Sequence, residues 1–429
     1  MIEAFARPRG GVWWLAAFVC LCCTLPYWRS LSLPAISDDY IQVALGRQYG
    51  NFAGFGGLFA DPLYRCRATS LWLTGLTEAL FGSSPIVLNL QSLLLHICNV
   101  AVIVSFGRFS QIGYRLSILV AFFWGLNERH HEAVMWYASI PEQLVLFFIL
   151  IAFGALLKWW EEDKPVYYAA SIGAFVLALM SKESGVVFCA LFGVLVVYQW
   201  RQWRRIAGAA IPFLALSVIY FAFNLKSREN HLHWNDGTFE FGWHFLPVIV
   251  NSTARLFTLW GLAAVTTLVY YRRSIDWRGP LLAFLWIPVA LAPYAFVVYQ
   301  PRVPSRHVYM ASLGIALILA FAVMKLLPMR KATNAILAAY LIFNTGYIWF
   351  YKHGQFVERA EVTERMIGDA NALVGQYGIR PIRVSCFPLA PEIASIALNE
   401  RLGIDPRLVS VERDLDAKCG KPKVELIQD

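Results

Sequence analysis

The chain has 429 residues, of which 58% are hydrophobic, 15% aromatic and only 15% charged, where a soluble domain carries about 25% charged residues. Apolar runs follow one another to about residue 350 with short polar breaks, which excludes a water-soluble multidomain protein. Most of the basic excess behind the net charge of +9 lies in those breaks, as membrane topology requires, so it is not read as a nucleic-acid signal.

The first apolar run, Gly11 to Leu33, follows Arg7 and Arg9 but is long and has no convincing small-residue cleavage site, so it reads as a retained span. A spanning helix needs about 20 apolar residues, fewer where the bilayer thins. About eleven candidates follow: 11–33, 85–107, 116–128, 144–160, 166–181, 185–199, 206–224, 246–271, 280–299, 308–327 and 333–351. With a cytoplasmic N-terminus, every inner break carries Lys or Arg, such as Arg108 and Arg115, or Arg272, Arg273 and Arg278. The outer breaks are then 34–84, 127–143, the Ser181–Ser184 turn, 225–245 and 300–307, and the tail from Lys352 is also outside. The expected architecture is an all-α polytopic membrane unit over 1–351, whose first outer loop (34–84) carries amphipathic helices, followed by a small extracytoplasmic α/β domain over 352–429. In that tail a strand is expected at Pro381–Phe387, a helix at Pro391–Leu402 and a second strand at Arg407–Val411. Cys386 and Cys419 either pair there or remain two thiols. Cys20, Cys22, Cys23, Cys98 and Cys189 lie in apolar segments, and no spacing suggests structural zinc.

Ionisable groups at membrane depth are expensive and mark function, and here they gather on the outer side. Asp38 and Asp39 stand in Ser37-Asp-Asp-Tyr40; one could serve as general base toward a hydroxyl, or the pair could cap a helix. Glu128-Arg129-His130-His131-Glu132 offers His130 and Glu132 for a metal, a proton or a sugar, or forms an interfacial polar belt. Lys182 and Glu183 form a polar turn that reads as a site or as an internal ion pair. Arg255 lies about two turns inside the eighth span, and Arg302 and Arg306 lie in the last outer loop; guanidiniums there suit an anionic lipid headgroup.

The order of these motifs resembles the GT-C superfamily of polyprenyl-phosphate-sugar-dependent glycosyltransferases, in particular the branch related to TMTC-type and other protein O-mannosyltransferases. The matching stretches are Ser37–Tyr40, Tyr64–Arg67 through Leu80–Gly82 to Leu93–His96, His130–Val134 with Trp136, Ala178–Glu183, and Arg306–Tyr309 with Ser312–Gly314. The resemblance implies a catalytic carboxylate at Asp39 or Asp38. It implies substrate-binding roles for His130, Glu132, Lys182, Glu183, Arg306 and Tyr309, and Arg255 and Arg302 join them by their placement, as cations for the carrier phosphate. Asn127 and Glu128 stand where the family's motif has His and Pro, and Ser305 and His307 where it has Glu and Tyr. No cofactor is then required, and a divalent metal is optional.

The expected activity is transfer of a sugar from a polyprenyl-phosphate carrier to a hydroxyl on the extracytoplasmic face, by an inverting single displacement. The acceptor would be a glycan, a lipid-linked polysaccharide or a protein. A bacterial cytoplasmic membrane is the expected location. The rival reading is a transporter or flippase for a polyprenyl-linked sugar or other anionic lipid, which would share the cations without needing the carboxylate.

Overall fold

A computed structural model describes residues 11–226, 242–297, 301–413 and 421–427. Six helical runs are long and apolar enough to cross a membrane by length and composition: Gly11–Ser32, Pro85–Arg108, Tyr137–Glu162, Trp200–Lys226, Phe245–Tyr270 and Arg278–Ala295. Three shorter apolar helical runs accompany them, Pro165–Ser181, Glu183–Tyr198 and Ser312–Leu326. The expected count of eleven is therefore larger than the six that length and composition support among the described residues. The expected span 116–128 is the helix Gly113–Gly125, whose 13 residues extend about 20 Å at 1.5 Å per residue, short of a hydrocarbon core of about 30 Å. The expected span 333–351 becomes Arg330–Tyr347, which opens on two cations, followed by a π-turn at Ile348–Lys352.

Local chemistry sets several of these boundaries. Pro85, Pro141, Pro165 and Pro391 each stand in the first turn of their helix, where a missing N–H costs no hydrogen bond. Pro212, Pro288 and Pro293 lie inside helices, which packed membrane helices accommodate. The short helix Gly113–Gly125 is buried along nine of its residues. It packs among Gly11–Thr24, Pro85–Ser105 and Ser312–Leu326 and ends just before the outer loop 127–139. A buried strut thus fixes the height of that loop.

The first outer loop forms the helix Asp38–Tyr49 and the longer helix Pro62–Phe81. They touch through glycines. A Cβ on Gly75 would lie 2.7 Å from the Gly46 carbonyl oxygen and 2.7 Å from Gly50 Cα, so only a bare backbone permits this approach. The outer break 225–245 falls mostly on residues 227–241, outside the described residues.

The tail begins inside a helical run, since Arg330–Tyr347, the π-turn and His353–Tyr377 follow without interruption. Beyond it, β1 (Ile382–Phe387), the helix Pro391–Leu402, β2 (Val409–Arg413) and β3 (Lys423–Leu426) form a three-stranded sheet in the order β2-β1-β3. β1 is parallel to β2 and antiparallel to β3. The third strand was not foreseen from the sequence. The buried face of this sheet, the helix Pro391–Leu402 and part of His353–Tyr377 make a small second core, which also takes in Ala35 and Tyr40 from the first outer loop. Cys386 is disulfide-bonded and Cys20, Cys22, Cys23, Cys66, Cys98 and Cys189 are free; Cys419, its partner in one of the two alternatives, lies outside the described residues.

Candidate active site

Ser37 has φ 38°, a backbone state that costs a residue with a side chain about 1–3 kcal/mol. The turn it makes starts the helix Asp38–Tyr49 and sends the two carboxylates into different surroundings. Asp39 is buried, and its two oxygens accept the N–H groups of Ile36 at 2.8 Å and Ala138 at 2.7 Å. Burial raises its pKa to about 7, against the pull of those two N–H groups. Asp38 stays exposed. Loss of surrounding water raises its pKa too, and the positive charge of Arg306 opposes that rise.

Arg306 sits in the short turn Ser305–Val308. Its backbone N–H donates to Glu132 Oε2 at 3.1 Å, and its guanidinium lies 5.0 Å from the centre of the Trp136 ring. Arg359, from the helix His353–Tyr377, donates to Glu132 Oε1 at 3.4 Å. Burial alone would raise the Glu132 pKa, but His131, the Arg306 amide and the Arg306 and Arg359 guanidiniums outweigh it and bring the pKa down. Glu132 is therefore a fixed anion that holds the Arg306 turn. Arg255 braces the same turn from the helix Phe245–Tyr270, donating to the Val303 carbonyl at 3.1 Å and to the Ser305 hydroxyl. Arg129 and exposed Arg302 lie within electrostatic reach of Arg255, and Lys352 within reach of Arg129, Arg255 and Arg359. Cations from four separate parts of the chain thus gather near the exposed carboxylate Asp38.

The other expected site residues are set in further networks. Lys182 is ion-paired with Glu142, stands 3.5 Å from His307 Nδ1 and lies over the Tyr294 ring. Glu142 also bonds His307 Nδ1 at 2.6 Å and accepts the Tyr294 hydroxyl at 2.7 Å, while the Tyr294 and His307 rings stack with centroids 4.3 Å apart. Burial, followed by the Lys182 charge, lowers His307 to about 4, so its ring is neutral near pH 7. Glu183 pairs with Arg67 at 2.9 Å, and its charge also reaches its neighbour Lys182. His130 bonds the Ser312 hydroxyl at 2.6 Å and lies against the rings of Trp124 and Tyr309. Its Nδ1 has no partner among the described residues, and burial holds its pKa well below the ordinary histidine value. Tyr309 shares a 2.8 Å hydrogen bond with His96.

Asp38, Glu132, Arg255, Arg302 and Arg306 are therefore brought together within electrostatic reach of one another. Lys182, His130 and Tyr309 belong to buried networks, Glu183 to a part-buried ion pair with Arg67, and Asp39 holds backbone. Among the described residues no group of three or more His, Cys, Asp or Glu side chains is placed to hold a metal ion. Glu142 and Arg359 escape sequence reasoning. Glu142 follows Ile140-Pro141 at the start of an apolar helix and resembles a first-turn acid, and Arg359 lies in a helix of mixed charge whose partner is 227 residues away. The signal for His307 was present, as a departure from the family motif, but its meaning depended on Glu142.

No protein-family model and no curated protein matches the sequence. Among solved structures, the chain is similar to ArnT of Cupriavidus metallidurans in the apo state, with a TM-score of 0.51 and 16% identity over 93% of this chain and 77% of that one. It also matches that protein bound to undecaprenyl phosphate (TM-score 0.45, 17% identity, 92% and 76% covered) and the Archaeoglobus fulgidus oligosaccharyltransferase in complex with Zn and sulfate (TM-score 0.49, 11% identity, 85% and 57% covered). At these identities the likeness is one of architecture, and the chain shares the fold of apo ArnT.

Proposed function

We propose that the protein is a membrane glycosyltransferase that moves a sugar from a polyprenyl-phosphate carrier to an acceptor hydroxyl at the extracytoplasmic surface. The observation that carries this reading is the exposed carboxylate of Asp38 facing the Arg306 charge. Asp38 takes the proton of the acceptor hydroxyl as its oxygen attacks the anomeric carbon. The carrier phosphate leaves with the electron pair of the broken C–O bond, and Arg306, Arg302 and Arg255 stabilise the charge it gains. Attack opposite the leaving group inverts the anomeric centre. Asp39 serves as the positioning residue that fixes the turn before Asp38. His130, Lys182, Glu183 and Tyr309 shape the floor of the site from below. A divalent metal is optional in this scheme, because the arginines supply positive charge at the leaving group.

The eleven-crossing topology, a bacterial cytoplasmic membrane, a cytoplasmic N-terminus and an extracytoplasmic tail belong to the same proposal. So does kinship with the protein O-mannosyltransferase-related branch, which rests on the motif order alone. The acceptor is a glycan, a lipid-linked polysaccharide or a protein.

Purified protein supplied with a polyprenyl-phosphate-linked sugar and an acceptor tests this reading. Asp38→Asn is expected to lower transfer by about 100-fold or more, the scale of a lost general base, while binding of the carrier stays unchanged. Transfer that survives in Asp38→Asn removes the base from the scheme. Carrier movement across vesicles without sugar transfer would favour a flippase.

A further inference from the structure

The tail packs on the very helix that begins with Asp38. Tyr40, two residues further on, is only 5% exposed, and its ring belongs to the tail's own core with Met366, Ile367, Ile382 and Ile393. Its hydroxyl donates to Glu364 at 3.2 Å, and Arg401 bridges the pair, donating to Glu364 at 3.0 Å and to the Tyr40 oxygen at 3.4 Å. Two turns along the same helix, Arg47 donates to both oxygens of Glu400, at 2.6 and 2.8 Å, and also bonds Glu78 of the helix Pro62–Phe81. The helix is therefore held at both ends by the tail and along its side by its glycine contact. Asp39 supplies a third attachment, through Ala138. No other expected role accounts for this arrangement, because none of Tyr40, Arg47, Glu364, Glu400 and Arg401 is part of the proposed chemistry.

We infer that the C-terminal α/β segment is a clamp that sets the position of Asp38, with Tyr40, Glu364 and Arg401 as positioning residues. This rests on the reading of Asp38 as general base. The physical reason is geometric. Displacing a catalytic group by about 1 Å costs up to about 100-fold in rate, and a helix following a strained turn at Ser37 does not hold such a tolerance by itself. The side chains that do so come from helices more than 300 residues away in sequence. The clamp is polar at its rim and apolar at its centre, so a single charge can be removed without emptying the core.

The experiment uses the full-length protein in detergent or nanodiscs, with Arg401→Ala, Glu364→Gln and Tyr40→Phe, the last keeping the ring and losing only the hydroxyl. Two readouts are taken: sugar transfer, separated into kcat and donor KM, and hydrogen exchange of the backbone amides of residues 38–49. Arg401→Ala is expected to speed exchange in that helix by about tenfold and to lower kcat by about tenfold, with donor KM unchanged. Tyr40→Phe should move both in the same direction by less. Unchanged exchange in Arg401→Ala and Glu364→Gln overturns the clamp whatever the role of Asp38. Faster exchange with unchanged kcat overturns its role in positioning. Transfer that survives in Asp38→Asn defeats the base assignment alone, because the exchange measurement reads the clamp without turnover.

Discussion

Arg306 acts on Asp38 through its charge, and the sign of that action can be measured. Loss of water raises the Asp38 pKa above its ordinary value of 3.8, and Arg306 holds it down. A general base works only when deprotonated, so the acidic limb of the rate profile should lie above the ordinary aspartate range. Arg306→Gln should move that limb to still higher pH, besides lowering the rate through the leaving phosphate. A limb that stays in place, or moves down, would separate the two residues. The neighbouring Asp39 illustrates why adjacent identical residues cannot be assigned from sequence. Both are carboxylates in Ser37–Tyr40, yet one is consumed by two backbone N–H groups and the other is open. The partner that decides between them, Ala138, is 99 residues away.

Among the elements, the contact between Asp38–Tyr49 and Pro62–Phe81 is the tightest support for the site. Because Gly75 faces the backbone of Gly46 and Gly50, Gly75→Ala has no flexible side chain to push aside and must separate the helices. The expected cost is about 1–3 kcal/mol, the usual scale of overpacking, with a fall in transfer as the Asp38 helix moves. Gly56→Ala, whose added Cβ would meet nothing within 4 Å, should change neither. Unfolding by heat or denaturant in detergent, followed beside transfer, checks both. The elements themselves were partly legible. The helix Pro391–Leu402 is found with the expected bounds, β1 begins one residue after the expected Pro381, and β2 runs Val409–Arg413 where Arg407–Val411 was expected. The helix Gly113–Gly125 overlaps the expected span 116–128 but is shorter than a full crossing and buried along nine residues, and a short apolar run in sequence does not say which neighbours cover it.

At the scale of the whole molecule, stability should depend on pH through Asp39. Its folded pKa of about 7 exceeds the ordinary value, so between about pH 4 and pH 7 the folded chain holds a proton that the unfolded chain has released. That stabilising contribution is fully present below the ordinary value and is lost as pH rises through 7. The slope is at most about 1.4 kcal/mol per pH unit, and Asp39→Asn should remove it, which unfolding midpoints measured across that interval for both proteins will show. What the sequence could not reveal at this scale is closure. Hydropathy and charge separate membrane runs from outer breaks, but Glu142 with His307 and Tyr40 with Arg401 are pairings across 165 and 361 residues that no local pattern encodes.

That last separation bears on how the protein is made. Tyr40 is translated early and Arg401 near the end, and at about 5–20 residues per second the intervening 361 residues take about 20–70 seconds to synthesise. Until the final strands have been made and folded, a nascent copy carries the helix Asp38–Tyr49 without the Glu364, Glu400 and Arg401 contacts that hold it. A newly made molecule would therefore settle the surroundings of this helix last, long after the helix itself has been synthesised.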